Sequence, residues 1–171
     1  MTIENGKYGR KEKLDAFLSF LNKAGFETKV LASESYPNFV DIETKLDGNP
    51  LLIHANIRNI GSAYLPNEPT TRRRQVEGLD VFKLPKNTSC SITILVGLSG
   101  FSDSVIVTIW NAFNFCMHKT VRSCYVTEES LLEAAEYGIS FEKYGMIPSY
   151  SCQAARLEEA LKSFIQRSRT E

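Results

Sequence analysis

Three consecutive arginines are the most chemically distinctive feature of the sequence. Arg72, Arg73 and Arg74 follow a polar loop that contains two prolines, Pro66 and Pro69. Each guanidinium is a planar fork of donors that matches phosphate oxygens and the O6/N7 edge of guanine. Because adjacent guanidiniums repel one another, an anionic ligand would favour holding them together. The run indicates a binding site for phosphates or nucleic-acid bases, and the alternative interpretation is a solvated basic turn.

A second polar stretch follows a run of apolar residues that ends at Trp110. It carries Asn111, Asn114, His118, Lys119 and Arg122. Between Asp80 and Glu128 the only acidic residue is Asp103, although the net charge of the chain is zero. The acids are therefore gathered elsewhere, and the two polar stretches predict a face that binds a polyanion. Trp110 itself is predicted to pack in the core at a strand end.

The three arginines cannot all face one ligand if their segment is extended. Side chains alternate between the two faces of a strand, so Arg73 would point away from both Arg72 and Arg74. We therefore expect at most two of the three to contact the same ligand.

Short blocks across residues 26–140 resemble a known family. The blocks are I-R-N-I, P-N-E-P, R-R-R-Q-V, I-T-I-L-V-G-L, V-I-V-T-I-W-N and V-R-S-C-Y-V. This pattern is similar to the B3-like DNA-recognition domains of bacterial restriction systems. More narrowly, it resembles the N-terminal specificity domain of LlaJI-type, McrBC-related restriction proteins.

The resemblance implies a fold, a function and partners. The fold would be mixed α+β and mainly β, a B3-like pseudobarrel of about seven antiparallel-rich strands with an N-terminal helix and C-terminal helices. Two loops, residues 61–71 and 111–122, would enter the major groove of double-stranded DNA and recognise the target of a GTP-dependent restriction endonuclease. The domain would precede an McrB-like GTPase motor that works with an McrC-like nuclease; the domain itself would not be an enzyme.

The predicted DNA-binding residues divide into phosphate contacts and base contacts. Phosphates would be positioned by Arg58, Lys119 and the hydroxyls of Ser62 and Thr71. Base edges would be read by a subset of Arg72, Arg73, Arg74, Arg122, Asn67, Asn111, Asn114 and His118. Asn59 and Tyr64 complete the set, Tyr64 by hydrogen bonding or stacking. Each good arginine–guanine or asparagine–adenine pair would give about 1–3 kcal/mol of discrimination.

Two alternatives belong to other functional classes. Asp41, Glu43 and Lys45 resemble half of a restriction-type nuclease motif, in which carboxylates bind Mg²⁺ and a lysine assists the attacking water. The other half of that motif, an earlier Pro-Asp, is missing, and alternating charges are common on an exposed strand. The second alternative is a protein-interaction domain whose acid-poor stretch, residues 81–127, is buried or paired with a partner.

Composition narrows the class of protein further. A length of 171 residues predicts a single domain: a loose leader at 1–10, a helix and strands at 11–127, and a helical segment at 128–171. A net charge of zero argues against a generic nucleic-acid coat. The four cysteines form no C-x-x-C pair and His54 is distant from His118, so no metal site is predicted. No cofactor motif, signal peptide or membrane span is recognised, which indicates a cytoplasmic protein with reduced thiols.

Hydrophobic periodicity predicts the order of the elements. Helices are predicted at 11–24, 127–138 and 149–169, and residues 140–147 are predicted to be irregular. Strands are predicted at 26–32, 39–46, 51–60, 81–84, 90–98, 105–110 and 123–127, with a hairpin turn at Asp47 and Gly48. The terminal Arg167, Ser168 and Arg169 resemble a linker toward a further domain.

Overall fold

The computed structural model describes residues 10–32, 36–62, 67–76, 79–101, 104–116 and 122–170. Within these ranges the helices are α1 (Arg10–Lys23), α2 (Glu128–Tyr137) and α3 (Leu157–Thr170). The strands are β1 (Lys29–Val30), β2 (Val40–Leu46), β3 (Asn49–Asn59), β4 (Gly61–Ser62), β5 (Thr71–Val76), β6 (Ser91–Phe101), β7 (Ser104–Asn111), β8 (Arg122–Thr127), β9 (Ile139–Tyr144) and β10 (Ile147–Cys152).

A seven-stranded sheet forms the centre of the molecule. Its strand order is β1-β2-β3-β6-β7-β10-β9. The β3–β6 pair is parallel, and the other neighbours are antiparallel. The β2–β3 hairpin turns at Asp47 and Gly48, whose φ angles of 52° and 76° explain why a short polar residue and a glycine stand there. In the described ranges the sheet is open and does not close into a barrel.

A smaller sheet covers one face of the large one. Its order is β4-β5-β8, and both pairs are antiparallel. Val76 and Val126 of this sheet share a buried cluster with Leu95, Ile106 and Trp110 of the large sheet. We call this cluster the inter-sheet core. Gly97 is needed beneath it, because a Cβ there would lie 2.5 Å from Ile60 Cδ1 and 2.9 Å from Trp110 Cζ3.

Helices α1 and α3 cover the opposite face. Phe17 and Leu21 of α1 and Phe164 of α3 belong to a second buried cluster with Ile53 and Ile109 of the sheet. The periodicity of α1 predicted this packing, since its apolar residues recur on one side of the helix. The molecule is therefore layered as helices, large sheet and small sheet, and α2 adjoins the small-sheet side.

Helix α2 has defined ends that the sequence predicted. The Thr127 side chain accepts a hydrogen bond from the Ser130 backbone N–H, and Glu128 and Glu129 lie in the first turn. Gly138 ends the helix with φ 91°, a conformation that favours glycine.

The predicted class is confirmed, and several element boundaries are corrected. The fold is mixed α+β and mainly β, with the expected N-terminal and C-terminal helices. Residues 81–84 form a turn, not a strand, and only Lys29–Val30 of the segment 26–32 is a strand. Residues 140–147 are not irregular; they belong to the β9–β10 hairpin, and α3 begins only at Leu157.

The physical reason for the missed hairpin is its weak alternation. Glu142 and Lys143 interrupt the apolar pattern of β9, and the turn at Gly145 and Met146 uses positive φ angles of 56° and 70°. The position of Trp110 in the core is confirmed, since its side chain is fully buried. Among the described residues, no helix has the length and apolar character required to cross a membrane.

Candidate nucleic-acid interface

The three arginines on β5 have different environments. The strand is extended, so Arg73 lies on the face opposite to Arg72 and Arg74, as predicted. Arg72 Nη2 lies 3.5 Å from Glu128 Oε2 of α2. Arg74 is only 2% exposed and lies between the two sheets, whereas Arg73 is half-buried.

Among the described residues, the hydrogen-bond acceptors of Arg74 are all neutral oxygens. Its Nη1 donates to the backbone oxygen of Asn56 at 2.8 Å and to that of Val96 at 3.4 Å. Its Nη2 donates to Asn56 Oδ1 at 2.6 Å, and its Nε donates to the Gln75 backbone oxygen at 3.3 Å. Burial lowers the pKa of Arg74 to about 10, and the positive charge of Arg58 acts in the same direction. At neutral pH the guanidinium therefore stays charged, and no described carboxylate pairs with it.

A cleft of about 530 Å³ opens beside this buried cation. Its charged lining consists of Lys13, Arg58, Arg73 and Arg74. Its amide lining consists of Asn38, Asn56, Asn59 and Gln75. We call these eight residues the basic cleft; no carboxylate is among its described lining residues.

Three separate elements position the cations of the basic cleft. Arg58 lies near the end of β3, opposite Gly97 of β6 in the parallel register. Arg73 lies on β5, and Lys13 lies on the first turns of α1. A smaller cavity of about 160 Å³ is lined by Arg58 and Arg74 as well, together with Tyr36 and Leu79 among others. Four cations and four side-chain amides in one cleft suit an oxyanion such as phosphate.

The structure brings together only part of the first predicted loop. Arg58, Asn59, Arg73 and Arg74 all line the basic cleft, whereas Arg72 does not. Asn67 is exposed on the turn before β5 and lies outside the cleft lining. Ser62 pairs with Arg72 through the backbone, and nothing is described of its side chain. Thr71 is buried, which removes its hydroxyl from the set of predicted phosphate contacts. Tyr64 lies outside the described residues.

The second predicted loop is separate from the basic cleft. Asn111 Oδ1 accepts from the Phe113 backbone N–H at 3.1 Å and from Asn87 Nδ2 at 3.0 Å, so it stabilises the local chain. Asn114 is half-buried. Arg122 starts β8 opposite Val76, with its side chain outside the description, and His118 and Lys119 lie outside the described residues.

Arg58 of the basic cleft and Asn111 at the start of the second predicted loop both lie on neighbours of the central strand β6. Asn111 is opposite Ile94, and Arg58 is opposite Gly97. Three residues of strand span about 10 Å, and β3 and β7 lie two strand spacings apart on either side of β6, so the Cα atoms of Asn111 and Arg58 are about 14 Å apart, slightly more than the width of the major groove.

Sequence reasoning missed four lining residues: Lys13, Asn38, Asn56 and Gln75. Asn56 had a detectable signal, because it is a polar residue inside the otherwise apolar strand at 51–60. Lys13 had none, since the sequence does not show that the N-terminal helix lies beside β5.

The residues of the nuclease alternative are divided by the fold. Asp41 is buried, and its Oδ1 lies 2.7 Å from His54 Nδ1. Glu43 and Lys45 are exposed and line a different cleft of about 920 Å³. Among the described residues, no group of three or more His, Cys, Asp or Glu side chains could hold a metal ion. Asp41 is thus engaged inside the protein, and an open pair of metal-binding carboxylates is not formed there.

His54 also makes a second side-chain contact. Its Nε2 lies 3.1 Å from Ser91 Oγ, which completes an Asp41–His54–Ser91 chain across β2, β3 and β6. Serine hydrolases use the same residue types in the same order. Here His54 is 4% exposed, and Ser91 lines none of the three clefts and cavities described above. We interpret the Asp41–His54–Ser91 hydrogen bonds as structural contacts that join the three strands.

No protein-family model matches the chain, and it matches no curated protein and no solved structure. The B3-like resemblance therefore rests on its short sequence blocks alone. The basic cleft is an independent structural observation, because its cations come from α1, β3 and β5, and Lys13 of α1 belongs to none of those blocks.

Proposed function

We propose that this protein binds double-stranded DNA through the basic cleft and the neighbouring second loop. The observation that carries the proposal is the convergence of four cations from three elements in the described lining of one cleft. Because the chain has no net charge, this local excess of positive charge is a property of one face and not of the whole protein. The B3-like resemblance supports the more specific role of target recognition in an McrBC-like restriction system, with an McrC-like nuclease as a partner.

The cations have different roles in this proposal. Arg58, Arg73 and Lys13 contact phosphates, which fixes the register of the protein on the duplex. Arg74 is not a base-reading residue, because acceptors of the protein occupy its guanidinium; it supplies charge and joins the two sheets. Asn59 and Gln75, with amide groups at the cleft, are the candidates for reading base edges.

Fluorescence anisotropy with a pool of randomised duplex DNA tests the proposal. We expect wild-type affinity to fall steeply as salt rises, because each neutralised phosphate releases counterions. Arg73→Ala should weaken binding and lower the salt slope by about one. The matched control is Lys45→Ala, which removes one exposed cation from the other large cleft and should leave binding unchanged.

Each outcome has a definite meaning. Selection and sequencing of bound DNA should yield a short enriched motif. Background binding at low salt, or equal effects of Arg73→Ala and Lys45→Ala, would reject DNA binding through the cleft. DNA cut only when Mg²⁺ is present, and spared by Glu43→Gln, would favour the nuclease alternative instead.

A further inference from the structure

Phe82 is an aromatic side chain that the fold leaves almost entirely in solvent. Its exposure is 95%, the highest among the exposed large hydrophobic side chains. The neighbouring Val81 is also exposed, at 41%. Single apolar side chains on a surface are common, so exposure alone assigns no role to Phe82. Its surroundings distinguish it.

The turn that carries Phe82 is held in place by its own hydrogen bonds. Asp80 Oδ1 accepts from the Phe82 backbone N–H at 2.9 Å. The Asp80 backbone oxygen accepts from the N–H groups of Lys83 at 3.0 Å and Leu84 at 3.1 Å. The Leu84 side chain is buried in the inter-sheet core, which anchors the turn to the body of the protein. The ring of Phe82 is therefore presented on a fixed support.

The turn connects the two surfaces that we assign to DNA. At its start, the Asp80 backbone N–H donates to the Tyr36 hydroxyl at 3.0 Å. Tyr36 and Leu79 line the small cavity that also contains Arg58 and Arg74. At its end, Asn87 Nδ2 donates to Asn111 Oδ1, at the beginning of the second loop.

Further contacts fix the segment after the turn to the large sheet. Thr93 Oγ donates to the Pro85 backbone oxygen at 2.6 Å, and the Thr93 backbone N–H donates to Asn87 Oδ1 at 2.7 Å. Lys83 and Lys86 are exposed on this anchored segment; Lys83 Nζ lies 3.9 Å from Asp80 Oδ2, a loose surface pair, and no acidic residue lies between Asp80 and Asp103 in the sequence. An exposed ring with two lysines close by in the chain, on a turn whose start contacts Tyr36 at the small cavity of Arg58 and Arg74, matches an aromatic contact flanked by phosphate contacts.

We infer that Phe82 packs its ring against a nucleobase of bound DNA at a partly unstacked step. The inference rests on the proposed DNA binding and adds a residue that the proposal does not contain. Proteins that distort DNA insert apolar side chains at base steps, and aromatic rings stack on any base because every base has a π-face. A ring on a fixed turn loses little conformational freedom on binding, which favours this use.

The first test compares two exposed apolar side chains. Phe82→Ala should weaken binding to the selected duplex by about 5- to 150-fold, the range of one lost base–aromatic stack. Met146→Ala is the matched control, because Met146 is 82% exposed on the β9–β10 turn, at the edge of the large sheet and outside the lining of the basic cleft, and should leave affinity unchanged. Neither change should alter thermal stability, and Phe82→Tyr should retain the affinity of the wild type.

A second test reports the contact itself. Phe82→Trp introduces an exposed indole, while the native Trp110 is fully buried and gives a separate, constant emission. Stacking on a base should quench the emission of the new indole when duplex is added. A duplex with 2-aminopurine at the contacted step should brighten with wild-type protein and not with Phe82→Ala.

The outcomes separate this inference from the proposed function. If wild type binds duplex with the expected salt dependence and Phe82→Ala binds equally well, only the inference is rejected. Equal losses for Phe82→Ala and Met146→Ala, or no change of 2-aminopurine emission, would also reject it. If wild type binds no DNA at low salt, both fail, and the exposed ring is then assigned to a protein partner.

Discussion

Two buried polar clusters lie on the same face of the large sheet and differ in how their charge is balanced. His54 and Asn56 are two residues apart on β3, so their side chains share a face. His54 contacts the carboxylate of Asp41 at 2.7 Å. Asn56 contacts the guanidinium of Arg74, whose acceptors are all neutral oxygens. One cluster contains both an acid and its partner, whereas the other retains a positive charge.

The difference explains why only one cluster is a candidate for ligand binding. A buried charge is stable only when hydrogen bonds or an opposite charge replace its hydration. Carbonyl and amide oxygens supply the hydrogen bonds of Arg74 without cancelling its charge. The positive field therefore extends into the basic cleft, where Arg58 and Arg73 add to it. The Asp41–His54 cluster contains a carboxylate, so it adds no positive field.

The largest expected effect comes from removing the guanidinium of Arg74. Arg74→Ala would leave the two oxygens of Asn56 without their donor and open a void between the sheets. We expect the free energy of unfolding to fall by about 3 kcal/mol or more, measured by urea denaturation. Arg73→Ala, one residue away and half-buried, should change it by less than about 0.5 kcal/mol. Equal losses for the two variants would show that Arg74 does not join the sheets.

A smaller effect is expected from the Asp41–His54 cluster. Asp41→Asn keeps the shape of the side chain but removes the charge that His54 contacts, so the unfolding free energy should fall by about 1–3 kcal/mol. Glu43→Gln is the matched control on the same strand, because its carboxylate is exposed. DNA affinity should be unchanged in both variants. A loss of affinity in Asp41→Asn without a loss of stability would contradict the division between the two clusters.

The large sheet was partly predictable because its central strands have strong patterns. Residues 90–98 are a continuous apolar run, and residues 39–46 alternate around a clear hairpin turn, so β2, β3, β6 and β7 were predicted within a few residues. The β9–β10 hairpin was missed because Glu142 and Lys143 weaken its alternation. The short segment at 81–84 was wrongly predicted as a strand, since the local sequence does not show that Asp80 closes a turn there.

The candidate site was predictable from the sequence only where the direction of side chains along a single strand determines which residues face it. The alternation of side chains along an extended segment is enough to separate Arg73 from Arg72 and Arg74. The burial of Arg74 and the position of Lys13 in the cleft lining depend on contacts between elements distant in the chain, which local patterns do not encode. Arg58 and Asn59 were selected from the resemblance, and the fold places both at the basic cleft.

The pH dependence of stability tests how deeply the surroundings of Arg74 are buried. The reporting group is the thiol of Cys124, which lies opposite Arg74 in the β5–β8 register. Burial raises the pKa of Cys124 to about 12 from a usual value of 9.0, and burial raises that of Cys152 to about 12 as well. The folded pKa exceeds the unfolded one, so this stabilisation is complete below pH 9 and is lost as the pH rises toward 12. We expect a loss of about 1–2 kcal/mol between pH 9 and pH 10.

The loss of stability with pH should be measured by urea denaturation at fixed ionic strength. Cys124→Ala should reduce the slope by about a third to a half, because it removes one of the two fully buried thiols, while burial also raises the pKa of the partly buried Cys116 to about 11. Arg74 has the opposite sign: burial lowers its pKa to about 10, so its deprotonation favours the folded state above that pH. A stability that is flat from pH 9 to pH 10 would show that folding does not raise the pKa of these thiols.

The smallest expected effect concerns Arg72. Its Nη2 lies 3.5 Å from Glu128 Oε2 in a partly exposed pair, and such pairs contribute about 0–1 kcal/mol. Because Arg72 is not among the residues lining the basic cleft, Arg72→Ala should leave DNA affinity and its salt slope unchanged, unlike Arg73→Ala.

Glu128→Gln is the control for Arg72→Ala, because it removes the same ion pair from the other side. The two variants should behave alike in anisotropy and in urea denaturation. If Arg72→Ala alone lowers DNA affinity as much as Arg73→Ala, the arginines act together on the ligand despite their opposite faces. The alternation of β5 would then not separate a ligand-binding arginine from a structural one, and the division of roles within the triple arginine would have to be abandoned.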